Sequence, residues 1–315
     1  MRLRSWVVRM IKAPVCVLIP TLNEGEAIAG VVKEIPFKVL GRKVAKVVVD
    51  GNSTDATAAN ARKAGAIVLM QQSKGKGAAL QEALEQIDCD VLVLVDGDGT
   101  YDLASLSRVV KPILDNKADM VVATRTQRHG GSITPFNTIG NWIFNWLVSF
   151  FYRKKITDML TGYRALKMKK MREMVLVSKN FEFETEITIE ALRHDLRIAE
   201  IPLLYKNRIG KTKLRPVRDG LRIFKTLLLL TRDTKPLYFF GIISFIFFLI
   251  SLWPVSLVVS EKLALGYVEH LASVVLAAFL LLLSVQTFAF GLLADMILSQ
   301  NQRTEMLLKK KFQNG

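Results

Sequence analysis

Between residue 14 and about residue 121, short apolar runs alternate with stretches of helical period. The runs at 15–19, 44–49, 66–70, 91–95 and 120–123 are rich in Val, Ile and Leu and predict strands, while helices are predicted near 24–34, 55–64, 77–87 and 103–114. Continuously apolar strands alternating with helices of this length specify an α/β fold whose mainly parallel sheet is covered on both faces. Ligands of such sheets bind outside the carboxyl ends of the strands. Polar, turn-forming and acidic residues collect at those ends: Pro20-Thr21-Leu22-Asn23-Glu24, Asp50-Gly51-Asn52-Ser53-Thr54-Asp55, Lys74-Gly75-Lys76-Gly77, and Asp96-Gly97-Asp98-Gly99-Thr100-Tyr101-Asp102.

After Ala123 the pattern loosens into a basic, Gly-containing stretch at 124–131, predicted as a loop. An aromatic helix is expected over 137–152 (Trp142, Phe144, Trp146, Phe150, Phe151), too short to cross a bilayer but suited to its surface or to a core. Then come 157–164, an acidic-apolar stretch at 181–189 and a last strand at 197–202. Residues 236–260 and 271–294 carry no charge at all, and each is long enough as a helix for the roughly 30 Å hydrocarbon core of a bilayer. A buried hairpin of a large soluble protein is the alternative, disfavoured because such helices rarely exceed about 20 residues without a polar face. Arg232 and Lys235 precede the first span, and Arg303 and the lysines at 309–311 follow the second. That asymmetry predicts a multi-pass membrane protein with two spans, its soluble part and C-terminal tail cytoplasmic and the short loop outside.

Composition sharpens this picture. The chain has 315 residues, 50% of them hydrophobic, with 44 Lys+Arg against 28 Asp+Glu, a formal charge of +16. A mean hydropathy of +0.27 with a pI near 9.9 excludes an acidic disordered chain and points to anionic partners. Half of the excess lies at 205–235, where ten basic residues face only Asp219 and Asp233. Val217, Leu221, Phe224 and Leu228 recur there at helical spacing, as in an amphipathic helix lying on a membrane. No basic-aromatic RNA motif accompanies the charge, so nucleic acid is not an expected partner. The basic residues Arg2, Arg4, Arg9 and Lys12 interrupt any signal-peptide core and read as an exposed basic arm or an extended start to the domain. Cys16 and Cys89 each fall in a run expected to be a buried strand, which fits neither a disulfide scaffold nor a zinc site.

The strongest chemical signal is Asp96 with Asp98. Gly97 and Gly99 let the chain turn so that both carboxylates can face one ion, and one or two carboxylates plus substrate phosphates are what Mg²⁺ or Mn²⁺ prefers. The competing reading is a polar turn with Asp102 capping the next helix. Asp50 closes its strand as an acceptor for a base or ribose, whereas Ser53, Thr54 and Asp55 read first as helix N-caps. Lys74, Gly75, Lys76 and Gly77 offer amides and positive charge to a phosphate. Glu184 and Glu186 either orient a sugar or helix or are solvated acids at a helix start. The three histidines lack metal-ligand spacing, and no Ser-His-Asp or Cys-His nucleophile motif is present.

In this order the motifs resemble the membrane-anchored family 2 glycosyltransferases with a GT-A, Rossmann-like fold, specifically the polyprenyl- or dolichyl-phosphate sugar synthases. The resemblance runs from residue 14 to about 235. It rests on residues 20–24, 50–55, Asp96/Asp98, Arg125, Thr157-Asp158-Met159-Leu160-Thr161-Gly162-Tyr163-Arg164, and Arg208 with Gly210-Lys211-Thr212-Lys213-Leu214. Asp96 to Tyr101, Asn137, Asn141, Glu184-Thr185-Glu186 and the two-span tail are most similar to archaeal dolichyl-phosphate hexose synthases of N-glycosylation.

The resemblance implies an inverting, metal-dependent hexosyltransferase acting from a nucleotide sugar onto dolichyl phosphate. Pro20, Leu22, Glu24, Asp50, Ser53 and Lys76 would bind the nucleotide, and Asp96 and Asp98 would hold Mg²⁺ or Mn²⁺. Arg125, Thr161, Gly162, Arg208 and Lys213 would surround the acceptor phosphate, with Arg125 and Asp158 joining the two aspartates in catalysis. Gly51 stands where many relatives have a second Asp and Thr100 where mannose synthases have a metal-binding Gln; both weaken the case for GDP-mannose without identifying another donor, and a UDP-sugar is the favoured expectation. The implied organisation is a basic arm at 1–13, a GT-A domain at 14–214, a juxtamembrane helix at 215–235, two transmembrane helices within 236–298 and a basic tail at 299–315. A homo-oligomer is compatible with it. Rival readings are a GDP-mannose-dependent dolichyl-phosphate mannose synthase, an undecaprenyl-phosphate glucosyltransferase and, in another class, a non-catalytic membrane scaffold.

Overall fold

The computed structural model of the protein describes residues 10–128, 135–178, 180, 182–209 and 216–313. The basic arm through Arg9 and the Gly210 to Arg215 stretch, including Lys211 and Lys213, lie outside the described residues, as do the side chains of Asn137 and Val217. In chain order the N-terminal part contains β1 (Ile11–Lys12), β2 (Val15–Thr21), α1 (Ile28–Glu34), β3 (Lys38–Val39), β4 (Arg42–Asp50), α2 (Thr57–Lys63), β5 (Ile67–Met70), α3 (Lys76–Leu84), β6 (Ile87–Asp88) and β7 (Val91–Leu94). A 3-10 turn at Leu103–Ser105 leads into α4 (Leu106–Leu114) and β8 (Met120–Arg128). There follow α5 (Pro135–Tyr152), β9 (Arg164–Lys167), α6 (Met168–Glu173), α7 (Phe183–Arg193), β10 (Ile198–Tyr205) and α8 (Pro216–Thr234).

Among the described residues, eight strands form the main sheet in the order β10-β8-β9-β7-β2-β4-β3, with β5 also pairing to β4. The β2 pairings to β4 and β7 are parallel, as are β4 to β5 and β8 to β10. The apolar runs account for this: Val15 to Ile19, Val47 to Val49 and Val91 to Val93 are buried on both faces, so helices must cover both sides. One core layer packs Ile28, Val31 and Val32 of α1 with Leu106, Val109 and Val110 of α4; the other packs Ala79, Leu80 and Ala83 of α3 with Phe183 and Ile187 of α7. Register aligns Thr21 with Asp50 and Asp50 with Met70, so β2, β4 and β5 end level and deliver their following loops to one edge.

Several expectations are corrected. The 124–131 stretch is strand rather than loop as far as Arg128, because β10 runs on to Tyr205 and pairs with it, with a register shift between Pro202 and Leu204. The strand expected at 197–202 is therefore longer, and the shift sits beside a proline that has no amide to donate. β9 was not expected: it lies antiparallel between β7 and β8, making the sheet mixed, and its sequence Arg-Ala-Leu-Lys is too short and too charged to advertise a strand. Cys89 falls between β6 and β7 rather than within a strand; its hydrogen bond to Cys16 and its burial push the thiol pKa up. Both cysteines are free.

The chain divides into two compact units, Met1–Leu227 and Leu228–Gly315. The second contains α9 (Pro236–Leu265) and α10 (Leu271–Gln313). Pro236 opens α9 at a position where its missing amide costs nothing, and Gly266, at φ +80, closes it in the left-handed conformation. The two helices pack along small residues: a Cβ on Gly291 would stand 2.9 Å from that of Phe240, and the Ser244 hydroxyl donates to the Ser284 carbonyl at 2.8 Å. Only 17% and 11% of their most apolar windows are buried, the opposite of a soluble core hairpin, and both helices are long and apolar enough to cross a membrane.

Candidate active site

At the edge where β2 and β4 end, the side chains hold one another. Asp50 is fully buried, and its carboxylate accepts from the Ser53 amide at 2.9 Å and the Ser53 hydroxyl at 2.5 Å. Asn23 accepts from the Thr54 amide at 2.8 Å, and Asp55 accepts from the amides of Gly25 and Thr57, each at 3.0 Å. Of the residues expected to cap α2, Asp55 does take the amide of Thr57, the first residue of the helix, whereas Ser53 and Thr54 do not cap it and instead lace the loop after β4 to the loop after β2. Glu24 joins this lacing through its amide, which donates to Thr57 Oγ1 at 2.8 Å. Leu22 is exposed, and its Cδ1 lies 3.6 Å from where a Cβ on Gly51 would stand.

Thr21 links that loop cluster to the aspartates: a Cβ on Gly97 would lie 2.6 Å from Thr21 Cγ2, so only glycine allows the turn to pack there. Asp96 pairs with the Lys76 ammonium, which also lies 2.5 Å from Glu184 Oε1. Burial raises the Asp96 pKa, but Lys76, then Arg208 and Arg125, outweigh it and hold the carboxyl below its ordinary value. Burial likewise opposes charge on Lys76, and its two carboxylates overcome this, so its pKa is raised. Asp98 accepts on Oδ1 from the Thr100 amide and hydroxyl at 3.1 and 2.6 Å, and on Oδ2 from Arg208 Nη2 at 2.6 Å. A small cavity is lined by Pro20, Lys76, Asp96, Gly162, Arg164 and Glu184.

Glu184 and Glu186 are buried rather than solvated, a correction with a clear cause: Glu184 answers Lys76, and Glu186 accepts from the amides of Val177 and Ser178 at 2.8 and 2.9 Å. Asp102 accepts from the Ser105 hydroxyl at 2.5 Å and makes no capping bond to the turn it precedes.

The 157–164 segment closes the other side. Arg125 clasps Asp158 with Nε at 2.7 Å and Nη2 at 2.6 Å, while its amide donates to the same carboxylate at 3.1 Å. Burial works against the Arg125 charge, and Asp158 more than restores it, so its pKa is raised. Arg164 is fully buried, donating to the carbonyls of Thr161 and Met159 and, at 2.6 Å, to Thr188 Oγ1. Asn145 of α5 donates to the Thr157 carbonyl at 2.6 Å and accepts from the Met159 amide at 2.9 Å, and Glu200 of β10 receives the Thr157 amide at 2.8 Å.

Tyr101 joins the two halves. Its phenol oxygen accepts from the Gly162 amide at 2.8 Å and sits 3.3 Å from Thr161 Oγ1 and 3.4 Å from Asp96 Oδ2. Burial and the neighbouring Asp96 push the phenol pKa well up, so it stays protonated. Sequence reasoning assigned no role to Tyr101, Asn145 or Glu200; the only signal was the position of Tyr101 in the Asp96 to Tyr101 hexapeptide.

The donor set suits a hard divalent ion. Asp96 and Asp98 could offer two carboxylates to such an ion, each now paired with a cation, Lys76 and Arg208; an ion held by one or two carboxylates commonly completes its shell with substrate phosphates and water. Gly162 matters here through space: a Cβ would lie 2.9 Å from Asp96 Cγ, with that carboxylate already tied to Lys76. Gly162→Ala is expected to lower kcat/KM about 10²-fold by shifting Asp96, since an ångström of misplacement costs that much. Steady-state kinetics beside a thermal melt would check this, the melt moving only slightly.

Residues 16–176 match the family described as glycosyl transferase family 2. Glycosyltransferase AglJ of Haloferax volcanii is 32% identical over 288 residues, covering 90% of this chain and 94% of the relative. The dolichyl-phosphate hexose transferase of the same organism is 33% identical over 211 residues, covering 67% of this chain and 91% of its own. Among solved structures, glucosyl-3-phosphoglycerate synthase from Mycobacterium tuberculosis, in complex with Mn²⁺, UDP-glucose and phosphoglyceric acid, superposes with a TM-score of 0.57 at 22% identity, covering 69% of this chain and 79% of that one. Mixed sheet, loop cluster and matched length agree: the chain belongs to glycosyltransferase family 2 and has the GT-A fold.

Proposed function

We propose that the protein transfers a hexose, with inversion, from a nucleotide sugar to dolichyl phosphate at the cytosolic membrane face, with a UDP-sugar the favoured donor. The observation that carries this is the abutment of two sets of groups: the Asp96/Asp98 turn at the end of β7, and the 157–164 segment with its Arg125–Asp158 clasp, joined through Tyr101 and Gly162. In this reading Pro20, Leu22, Glu24, Asp50, Ser53 and Lys76 serve the nucleotide, and Arg125, Thr161, Gly162, Arg208 and Lys213 serve the acceptor phosphate. Asp96 and Asp98 would hold Mg²⁺ or Mn²⁺, which neutralises the charge of a nucleoside-diphosphate leaving group.

A phosphate monoester with a second pKa near 6 is already ionised at neutral pH, so an acceptor oxygen can attack the anomeric carbon while the bond to the nucleotide diphosphate breaks, without a histidine base. The relative named dolichyl-phosphate hexose transferase supports the lipid acceptor, and the Mn²⁺ and UDP complexes of the Mycobacterium enzyme support metal and donor class. Exposed Trp142, Trp146 and Phe150 on α5 and exposed Leu221 and Phe224 on α8, beside Arg218, Arg222 and Lys225, fit an interfacial setting. The positive flanks of α9 and α10 favour cytoplasmic ends and a short outer loop.

The full-length protein in detergent, supplied with Mn²⁺ and either dolichyl or undecaprenyl phosphate, should convert one of UDP-glucose, UDP-N-acetylglucosamine or GDP-mannose into a lipid-linked sugar detected by mass, and EDTA should stop it. Absence of product with every donor and both lipids would sink the reading.

A further inference from the structure

Segment 205–209 is strapped across the aspartate turn by its backbone. The Lys206 amide donates to the Thr100 carbonyl at 2.7 Å, the Ile209 amide donates to the Asp98 carbonyl at 3.0 Å, and Tyr101 and Tyr205 form an antiparallel bridge. Ile209 Cδ1 would stand 3.2 Å from a Cβ on Gly99, so side-chain packing reinforces the strap. These contacts fix the backbone of Arg208 beside Asp98, and its guanidinium lies 2.6 Å from Oδ2.

Asp98 is 2% exposed, and its other oxygen already receives both donors of Thr100. A buried carboxylate needs a counter-charge, and Arg208 supplies it at the oxygen that faces away from Thr100. The two cations paired with the aspartates differ in how firmly they are held. Lys76 is bridged between Asp96 and Glu184 with its side chain 17% exposed, whereas the Arg208 side chain has a single carboxylate partner in Asp98 among the ion pairs of this turn and is 32% exposed. Asp96, Asp98 and Glu184 are balanced by Lys76, Arg208 and the buried Arg164 of the same cavity, so a divalent ion arriving without displacing a cation would enter a neutral site and find Oδ2 taken.

We propose that Arg208 is an exchangeable counter-ion: it neutralises Asp98 until a divalent metal claims that oxygen, and the guanidinium so released moves onto a substrate phosphate. The proposal rests on the reading of Asp98 as a metal ligand. It makes metal and phosphate binding mutually reinforcing, because the ion frees the arginine that a phosphate needs and the phosphate keeps that arginine from returning. Arg208 thereby competes with the metal for Asp98 and then serves a phosphate, with two successive partners. A guanidinium suits both, since its planar donors fit carboxylate and phosphate alike.

The test is Mn²⁺ affinity, read by electron paramagnetic resonance of the free ion with the full-length protein in detergent and no nucleotide present. Arg208→Ala should bind Mn²⁺ about tenfold more tightly than wild type, the effect of removing one charge-assisted competitor. Lys206→Ala removes an equal charge from the same segment but one that faces Glu34, at 2.6 Å, and should leave Mn²⁺ affinity unchanged. Adding the phosphate that takes the arginine, UDP or dolichyl phosphate, should tighten Mn²⁺ binding to wild type more than to Arg208→Ala. Titrations of UDP and, separately, of dolichyl phosphate into Mn²⁺-loaded Arg208→Ala assign the released arginine to whichever phosphate binds more weakly than to wild type. Should Arg208→Ala melt early, Arg208→Gln keeps hydrogen bonding without the charge and carries the same expectation.

Unchanged or weaker Mn²⁺ binding in both Arg208 variants overturns the exchange, as does an equal gain in Lys206→Ala. Undiminished binding of both phosphates overturns the second half. Failure of every protein to bind Mn²⁺, with UDP included, instead overturns the metal reading of Asp98 and the exchange with it.

Discussion

Asp98→Ala is expected to lower sugar transfer by about 10³-fold or more, the scale on which a preorganised group stabilising developing charge is felt. The carboxylate is buried at the end of β7 with Thr100 on one oxygen and Arg208 on the other, so its loss removes one of two candidate metal ligands and the partner of a phosphate-class arginine together. Stability should fall by about 1–3 kcal/mol, because Arg208 can turn to water while the buried Thr100 amide and hydroxyl lose their acceptor, so a loss of activity far beyond that small drop in melting temperature would separate lost chemistry from lost fold. Asp98→Asn keeps the shape and the Thr100 bonds but not the charge; it should be nearly as inactive, and EDTA-treated wild type should match both. An Asp98→Ala protein that still forms lipid-linked sugar at the wild-type rate would remove the carboxylate from the reaction.

How much of this was legible in the sequence depends on how local the determinant is. The strands β2, β4 and β7 and the loops after them stood out because burial on both faces demands unbroken runs such as Val15 to Ile19, which nothing but a covered strand explains. The aspartates stood out because they and their glycines occupy four consecutive positions. By contrast, the Lys76 to Glu184 pair spans 108 positions and the Arg125 to Asp158 clasp 33, and no periodicity encodes which distant charge a buried charge will meet.

β9 escaped notice because two of its four residues are charged, Arg164 turning into the core and Lys167 pairing with Asp119 at 2.8 Å. Its insertion between β7 and β8 is what carries the preceding 157–164 segment onto the aspartate turn. The site therefore depends on an element whose own sequence is too short to declare itself. Glu184 and Glu186 show the same limit from the other side: their position at a helix start suits exposed acids, and only the tertiary partners explain their burial.

Asp158→Ala is expected both to abolish transfer and to destabilise the protein by about 3–5 kcal/mol, the cost of leaving a buried charge without its partner. The Asp158 side chain is 6% exposed and that of Arg125 17%, and three donors of Arg125 converge on this carboxylate, so the guanidinium left behind is largely shielded from water. On a catalytic unit of this size that is a fall in melting temperature of roughly 6–20 °C. Arg125→Ala should cost less stability. Asp158 would keep the Arg125 amide as a donor, with Asn141 Nδ2 at 3.5 Å, while the cation over the Tyr205 ring, 5.6 Å from its centroid, is lost. The double variant Arg125→Ala/Asp158→Ala should be more stable than Asp158→Ala alone, because it removes the orphaned charge, yet no more active. That split decides between two roles for the clasp. If the pair only held the fold, restoring stability in the double variant would restore transfer; if it presents an arginine to the acceptor phosphate, all three proteins stay inactive whatever their melting temperatures. Transfer by the stable double variant at the wild-type rate would end the catalytic reading of Arg125 and Asp158.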